Sequence, residues 1–213
     1  VMSAADTFDL YVKGKGGHGA LPQQTIDPIV AASELVLSMQ RVVARELNPL
    51  EPSVISITSF QSGTTSNVIP ADAHLMGTAR TFSPEIRDQY PDIIRRVAKG
   101  VGEATRTEIE VDYHFGPPPM INDDACVDTG RRAAETVFGK DHLTDWELQM
   151  GGEDFAKYPQ EKCILLLGGG WPEEERRFPQ HSPFFDIDER ALSLGVEYFV
   201  EYVQEYQKEL ANR

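Results

Sequence analysis

Two cysteines in 213 residues, Cys126 and Cys163, are too few and too far apart for a disulfide framework or a CxxC pair, so they read as reduced, half-buried thiols. Basic residues are also scarce. Lys and Arg total 20 against 34 Asp and Glu, for a formal charge of -14, and no basic run offers a stripe for phosphates, which excludes nucleic acid as a partner. That acidity fits solubility in a reducing cytosol, and the expected location is cytoplasmic. Long apolar runs are missing. The run "CILLLGGG" is short and ends in glycines, far below the roughly 18 residues that a membrane span needs, so no membrane partner is expected. There is no internal repeat and no low-complexity tract. The first residues, "VMSAADTFDLYVKG", carry no initiating Met and run almost at once into a strand pattern, which reads as a piece of a longer protein.

What is present is a regular order of elements. Thr7 to Val12 alternates with Phe8, Leu10 and Val12 on one side, as in a strand. A glycine-rich stretch, "GKGGHGALP", follows. Asp27 as N-cap and Pro28 at the first helical position then open a helix with Ile29, Ala32, Val36, Met39 and Val43 at helical steps. "PSVISITSF" and "DAHLMGTARTF" read as strands joined by the turn-rich "QSGTTSNVIP". Ser83 and Pro84 open a second helix with Ile86, Tyr90, Ile93, Val97 and Val101 on one stripe, and its interior Pro91 predicts a kink or a late start. "TEIEVDYHF" alternates cleanly, with Ile109, Val111, Tyr113 and Phe115 on one face. Strand, helix, strand, strand, helix, strand is the split βαβ, ferredoxin-like arrangement. "GPPPMINDD" then reads as a boundary, giving a first domain over 1–117 and a second over 118–213. The second contains a helix around Val127 to Phe138, the turn-bounded "QMGGEDFAKYP", the strand-like "CILLLGGG" and a long terminal helix from about Asp188 through Leu210. One apolar strand among helices reads as the closing part of an α/β domain whose other strands lie elsewhere.

Four residues stand out chemically. The glycines around His18 suit an imidazole displayed at the tip of a bare loop, although a solvated turn histidine has the same surroundings. Asn67 in "TSNVIP" and Arg80 in "GTARTF" flank the link between the middle strands, where amide and guanidinium together suit a forked grip on a carboxylate. A turn Asn and an edge-strand Arg fit the same letters. His181 in "QHSPFFDIDER" precedes an acidic cluster, which suits either a metal ligand or the acidic start of the last helix. In "MGGEDF" the carboxylates of Glu153 and Asp154 are explained equally well by a helix N-terminus.

Read together and in order, "GKGGHGALP", "TIDPI", "SNVIPADAHLMGTARTF", "GGEDFA" and "HSPFFDIDE" resemble the M20 family of metallopeptidases, in its N-acyl-amino-acid amidohydrolase and hippurate hydrolase branch. The resemblance covers nearly the whole chain. It implies a lid or dimerisation domain followed by the C-terminal part of a zinc-peptidase-like α/β catalytic domain. It further implies that His18 steadies the oxyanion in a partner subunit's active site, that Asn67 and Arg80 hold the substrate carboxylate, and that His181 is the last ligand of a centre of two divalent ions. Zinc, manganese, cobalt and nickel all suit such a centre. The other ligands and the glutamate base would lie upstream. Two departures stand out: Gln23 replaces a histidine common after the lid Ala-x-Pro, and Pro91 interrupts a helix that usually carries no proline. The expected function is metal-dependent hydrolysis of the amide of N-acyl amino acids or related small peptides by a homodimer, with a small-molecule substrate. The alternative is a non-catalytic dimerisation or ligand-sensing module on the same fold.

Overall fold

The computed structural model describes residues 1–211 and divides into two compact units: Val1–Met120 with Leu148–Tyr158, and Ile121–Glu147 with the chain from Pro159 on. The first unit thus takes in residues 148–158, which a boundary at 117/118 assigns to the second segment.

In the first unit, β1 (Asp6–Lys13), β3 (Ser53–Gln61), β5 (Asp72–Thr81) and β6 (Glu108–His114) form an antiparallel sheet in the order β3-β5-β1-β6. Two helices cover one face, α1 (Pro28–Arg45) and α2 (Pro84–Thr105). Period-2 alternation decides the faces: Phe8, Leu10 and Val12 of β1 and Ala73, Leu75 and Ala79 of β5 are buried against the helices, while His74, Met76, Thr78 and Arg80 lie on the other side. A β-bulge between Ile57 and Ser59 interrupts the β3–β5 register. A second, two-stranded ladder pairs β2 (Gly17–His18) with β4 (Val68–Ile69).

Asp27 caps α1 by accepting from the Ile29 and Val30 amides, with Pro28 at its start. The buried stripe is Ala31, Ala32, Leu35, Met39 and Val42, rotated from the expected one, so Ile29 is exposed and Val36 and Val43 pack at the margin. Ser83 caps α2, which starts at Pro84 and runs on through Pro91, so the late start expected from that proline does not occur. Pro91 is itself buried with Tyr90 and Ile94, and this packing offsets the backbone hydrogen bond that proline cannot make.

Asp6 ties the sheet to α2. Its carboxylate, fully buried, accepts from Arg87 Nε (3.0 Å) and Nη2 (2.8 Å), from the Tyr113 hydroxyl (2.9 Å) and from the Gly116 amide (2.9 Å). A buried carboxylate is tolerated only with such a full set of donors.

The second unit packs α3 (Asp124–Phe138) on α4 (Arg190–Ala211). Ala133, Ala134 and Tyr198 make the buried contact, and Arg132 Nε meets Glu205 Oε2 at 3.1 Å. "CILLLGGG" is not a strand here. Its hydrogen bonds are those Asn122 exchanges with the Ile164 backbone, the Cys163 thiol on the Cys126 carbonyl and the Asp188 amide on the Gly169 carbonyl. A strand exists only through the ladder that pairs its amides and carbonyls, and no neighbouring strand lies alongside it among the described residues. Both cysteines are free and half-buried, and burial pushes each thiol above its ordinary range.

Candidate active-site elements

The glycine loop is built for close approach. None of Gly14, Gly16, Gly17 and Gly19 has positive φ; instead, a Cβ on Gly14 would lie 2.3 Å from the Ile26 carbonyl oxygen and one on Gly16 2.8 Å from that of Ile69. His18 therefore sits on a short strand opposite Val68 rather than at a free loop tip. The Gly19 amide bonds the Asn67 carbonyl at 2.8 Å, which brings the Asn67 backbone beside His18.

The polar atoms of both side chains are oriented. His18 Nδ1 accepts the Ala20 amide at 3.0 Å, which makes Nε2 the protonated nitrogen of the neutral ring and turns its N–H outward on an exposed side chain. Asn67 Oδ1 accepts from the Thr65 hydroxyl at 3.0 Å, leaving its amide nitrogen to donate elsewhere. Two outward donors thus share one end of the sheet. Sequence reasoning did not single out Thr65, although a hydroxyl two residues before an Asn in a turn is a readable signal.

Arg80 lies at the other end. Eight residues separate it from Asp72 on β5, about 26 Å at strand rise, whereas the glycine loop adjoins the Asp72 end through the Gly14 amide on the Ala71 carbonyl. Asn67 and Arg80 of one chain therefore cannot grip the same carboxylate, because the strand that links them is extended. The half-buried guanidinium has no carboxylate partner among the described residues. It lies instead against the Gly151–Gly152 turn. A Cβ on Gly152 would meet Arg80 Nη1 at 3.3 Å and the Ala5 Cβ at 2.4 Å, so that turn must be bare. This neighbourhood spans some 70 residues of chain and carries no local sequence signal.

Glu153 caps the 3₁₀ turn Asp154–Lys157 by accepting the Phe155 amide at 3.1 Å, which is the helix-start role. His181 belongs to the second unit, in a turn closed by the Ser182 amide on the Pro179 carbonyl, with φ 68°. Its acidic neighbours are already engaged. Asp186 accepts from Trp171 and Arg176, and the Arg190 guanidinium holds the Asp188 carboxyl below the usual carboxylate range. Among the described residues no three His, Cys, Asp or Glu side chains group as metal ligands. His181 alone does not fit a two-metal centre, since a lone imidazole holds an ion too weakly.

A model of peptidase family M20/M25/M40 matches residues 6–205. The chain belongs to that family. N-acetylcysteine deacetylase of Bacillus subtilis is 38% identical over 205 residues, 94% of this chain and 52% of the relative. N-acyl-L-amino acid amidohydrolase of Geobacillus stearothermophilus is 42% identical over 124 residues, 58% of this chain and 34% of the relative. Among solved structures, the Bacillus subtilis YXEP protein, described as a dinuclear metal binding peptidase of the M20 family, superposes with TM-score 0.74 at 31% identity over 95% of this chain and 50% of that one. The chain spans about half the length of the curated M20 relatives that it matches along most of its own length.

Proposed function

We propose that the protein containing this chain is a metal-dependent amidohydrolase that cleaves the amide bond of N-acyl amino acids or related small peptides. The observation that carries the reading is the pair of outward donors, His18 Nε2–H and the Asn67 amide, on a chain of the M20 family. Attack on an amide carbonyl puts negative charge on its oxygen, and a donor held at that position contributes about 3 kcal/mol. His18 is set up for this because the Ala20 amide has already fixed its tautomer and ring orientation. Arg80, a half-buried cation beside a bare glycine turn, suits the substrate carboxylate.

About 26 Å of strand separates the two groups, so a site that uses both takes Arg80 from one protomer and His18 with Asn67 from its partner. We assign the homodimer contact to the first unit, whose edge strand β3 has one side without a ladder among the described residues. Two divalent ions, zinc, manganese, cobalt or nickel, belong to the proposed whole enzyme, with His181 as one ligand and the remaining ligands and the base outside this chain. No helix among the described residues is long and apolar enough to cross a membrane, and a cytoplasmic location is part of the proposal.

The test is to purify the full-length protein, measure bound divalent ions and assay N-acyl amino acids before and after chelation. Stoichiometric metal with chelator-sensitive release of the free amino acid is expected. Metal-free protein that turns over none of these substrates would overturn the assignment and return the chain to the binding-module alternative.

A further inference from the structure

The loop between β3 and β4, residues 62–67, is pinned at both ends. The Ser62 hydroxyl donates to the Asp72 carbonyl at 2.6 Å, which ties the start of the loop to β5. Gly63 then takes φ 66°, a left-handed conformation that glycine adopts without strain. At the far end the Asn67 carbonyl accepts the Gly19 amide at 2.8 Å, and the ladder begins at once with His18 opposite Val68. A Cβ on Gly19 would lie 3.1 Å from the Asn67 carbonyl oxygen, tighter than ordinary contact, so the two backbones are seated against each other.

The backbone of Asn67 is therefore fixed, while the residue itself is exposed. The last torsion of an Asn side chain is broad and roughly two-fold, so turning the amide over exchanges a donating nitrogen for an accepting oxygen. Against a developing oxyanion the two orientations act with opposite sign: the N–H stabilises the charge and the C=O repels it. The Thr65 hydroxyl selects between them. By donating to Asn67 Oδ1 at 3.0 Å it holds the oxygen against the loop and leaves the nitrogen free to donate outward.

We infer that Thr65 is a positioning residue, whose hydroxyl sets the orientation in which Asn67 donates to the substrate carbonyl oxygen as charge builds on it. The inference rests on the amidohydrolase reading and deepens it, by giving a role to a residue that itself touches no substrate. Thr65 acts through Asn67 as the Ala20 amide acts through His18, so each of the two outward donors has its own local brace. Donors held in place before the reaction need no reordering when the charge forms, which is where their worth lies. The Ala20 brace is a backbone group that side-chain substitution leaves in place. The Thr65 brace is a single hydroxyl, and valine removes it at nearly constant volume.

The experiment uses the full-length, metal-loaded protein and measures kcat and KM on the best substrate among a panel of N-acetyl amino acids. Thr65→Val is expected to lower kcat by about threefold to tenfold, the equivalent of one ordinary hydrogen bond, with little change in KM. Thr65→Ser, which keeps the hydroxyl, should stay within about twofold of wild type, and so should Thr64→Val one residue earlier in the same loop. In an Asn67→Ala background, Thr65→Val should have no further effect, because the group that it positions is gone. Denaturant midpoints of all variants should match wild type, since the pair is exposed. Unchanged kcat in Thr65→Val, a loss equal to that of Thr64→Val, or a loss that persists in the Asn67→Ala background overturns the inference while amide hydrolysis stands. A wild-type protein that hydrolyses none of the panel overturns the underlying reading, and the inference with it.

Discussion

His18 shows how one hydrogen bond decides what an exposed side chain can do. Without the Ala20 amide on Nδ1 the ring would sample both tautomers, whereas with it the outward atom is a donor. His18→Ala is therefore expected to lower kcat of the full-length enzyme by about 10² to 10³ with little change in KM, since an oxyanion donor acts mainly in the transition state. Steady-state kinetics check this, and an unchanged kcat would remove His18 from the chemistry. Asp6 and Arg87 act on stability instead. Arg87→Ala strands a buried carboxylate and should cost about 3 to 5 kcal/mol in denaturant unfolding. A loss below 1 kcal/mol would mean that water takes over the vacated place. Buried tyrosines set an alkaline limit. Burial first, and then the Cys163 charge, pushes Tyr198 up to about 12 from 10.0, and burial likewise raises Tyr90 and Tyr113. A phenol whose folded pKa is raised keeps its proton while the unfolded chain loses one, so stability should fall as pH rises from 10 toward 12. Tyr198→Phe should flatten that fall, as followed by unfolding midpoints at each pH.

At the level of elements, the sequence pattern was most legible where a local rule acts alone. Asp27 with Pro28, and Ser83 with Pro84, announce helices, and both caps are present. Alternation assigned the faces of β1 and of β6 through Tyr113, because the pleat has period 2 whatever the neighbours are, while Phe115 lies past the end of β6 and is exposed. Pro91 did not delay the start of α2, because its local cost is met by burial in a core that only the folded unit has. "CILLLGGG" misled for the opposite reason, since apolar letters cannot supply the neighbour a strand needs. The edge strand β3 leads to a further expectation. With Phe60 exposed on β3 and Leu37, 73% exposed, on the overlying α1, this edge suits a second copy. The chain should sediment as a dimer at micromolar concentration, and Leu37→Lys with Phe60→Lys should shift it to monomer. Wild-type chain that stays monomeric at high micromolar concentration would sink the edge assignment.

On the scale of the whole molecule, the chain spans about half the length of its M20 relatives, and its second unit carries exposed apolar surface. Leu192, Val196, Phe199, Val203, Tyr206 and Leu210 form an exposed apolar stripe on α4, and Leu165, Leu166 and Leu167 are exposed as well. The chain by itself is therefore expected to hydrolyse no N-acyl amino acid even with excess zinc or manganese, and amides of residues 165–167 should exchange quickly with solvent. Activity and slowed exchange should both appear when the remaining part of the protein is added; turnover by the chain alone would show that the active site has been misplaced. The sequence by itself determined the element order, the helix starts, the sheet faces and the family, because these rest on neighbouring residues, on fixed periods of 2 and 3.6, and on motifs in a fixed order. Only the tertiary structure decided that His18 and Asn67 share one end of the sheet with oriented donors, and that Arg80 stands at the other end against Gly152. Those relations depend on strand register and on glycine contacts between distant segments, neither of which any single stretch of residues encodes.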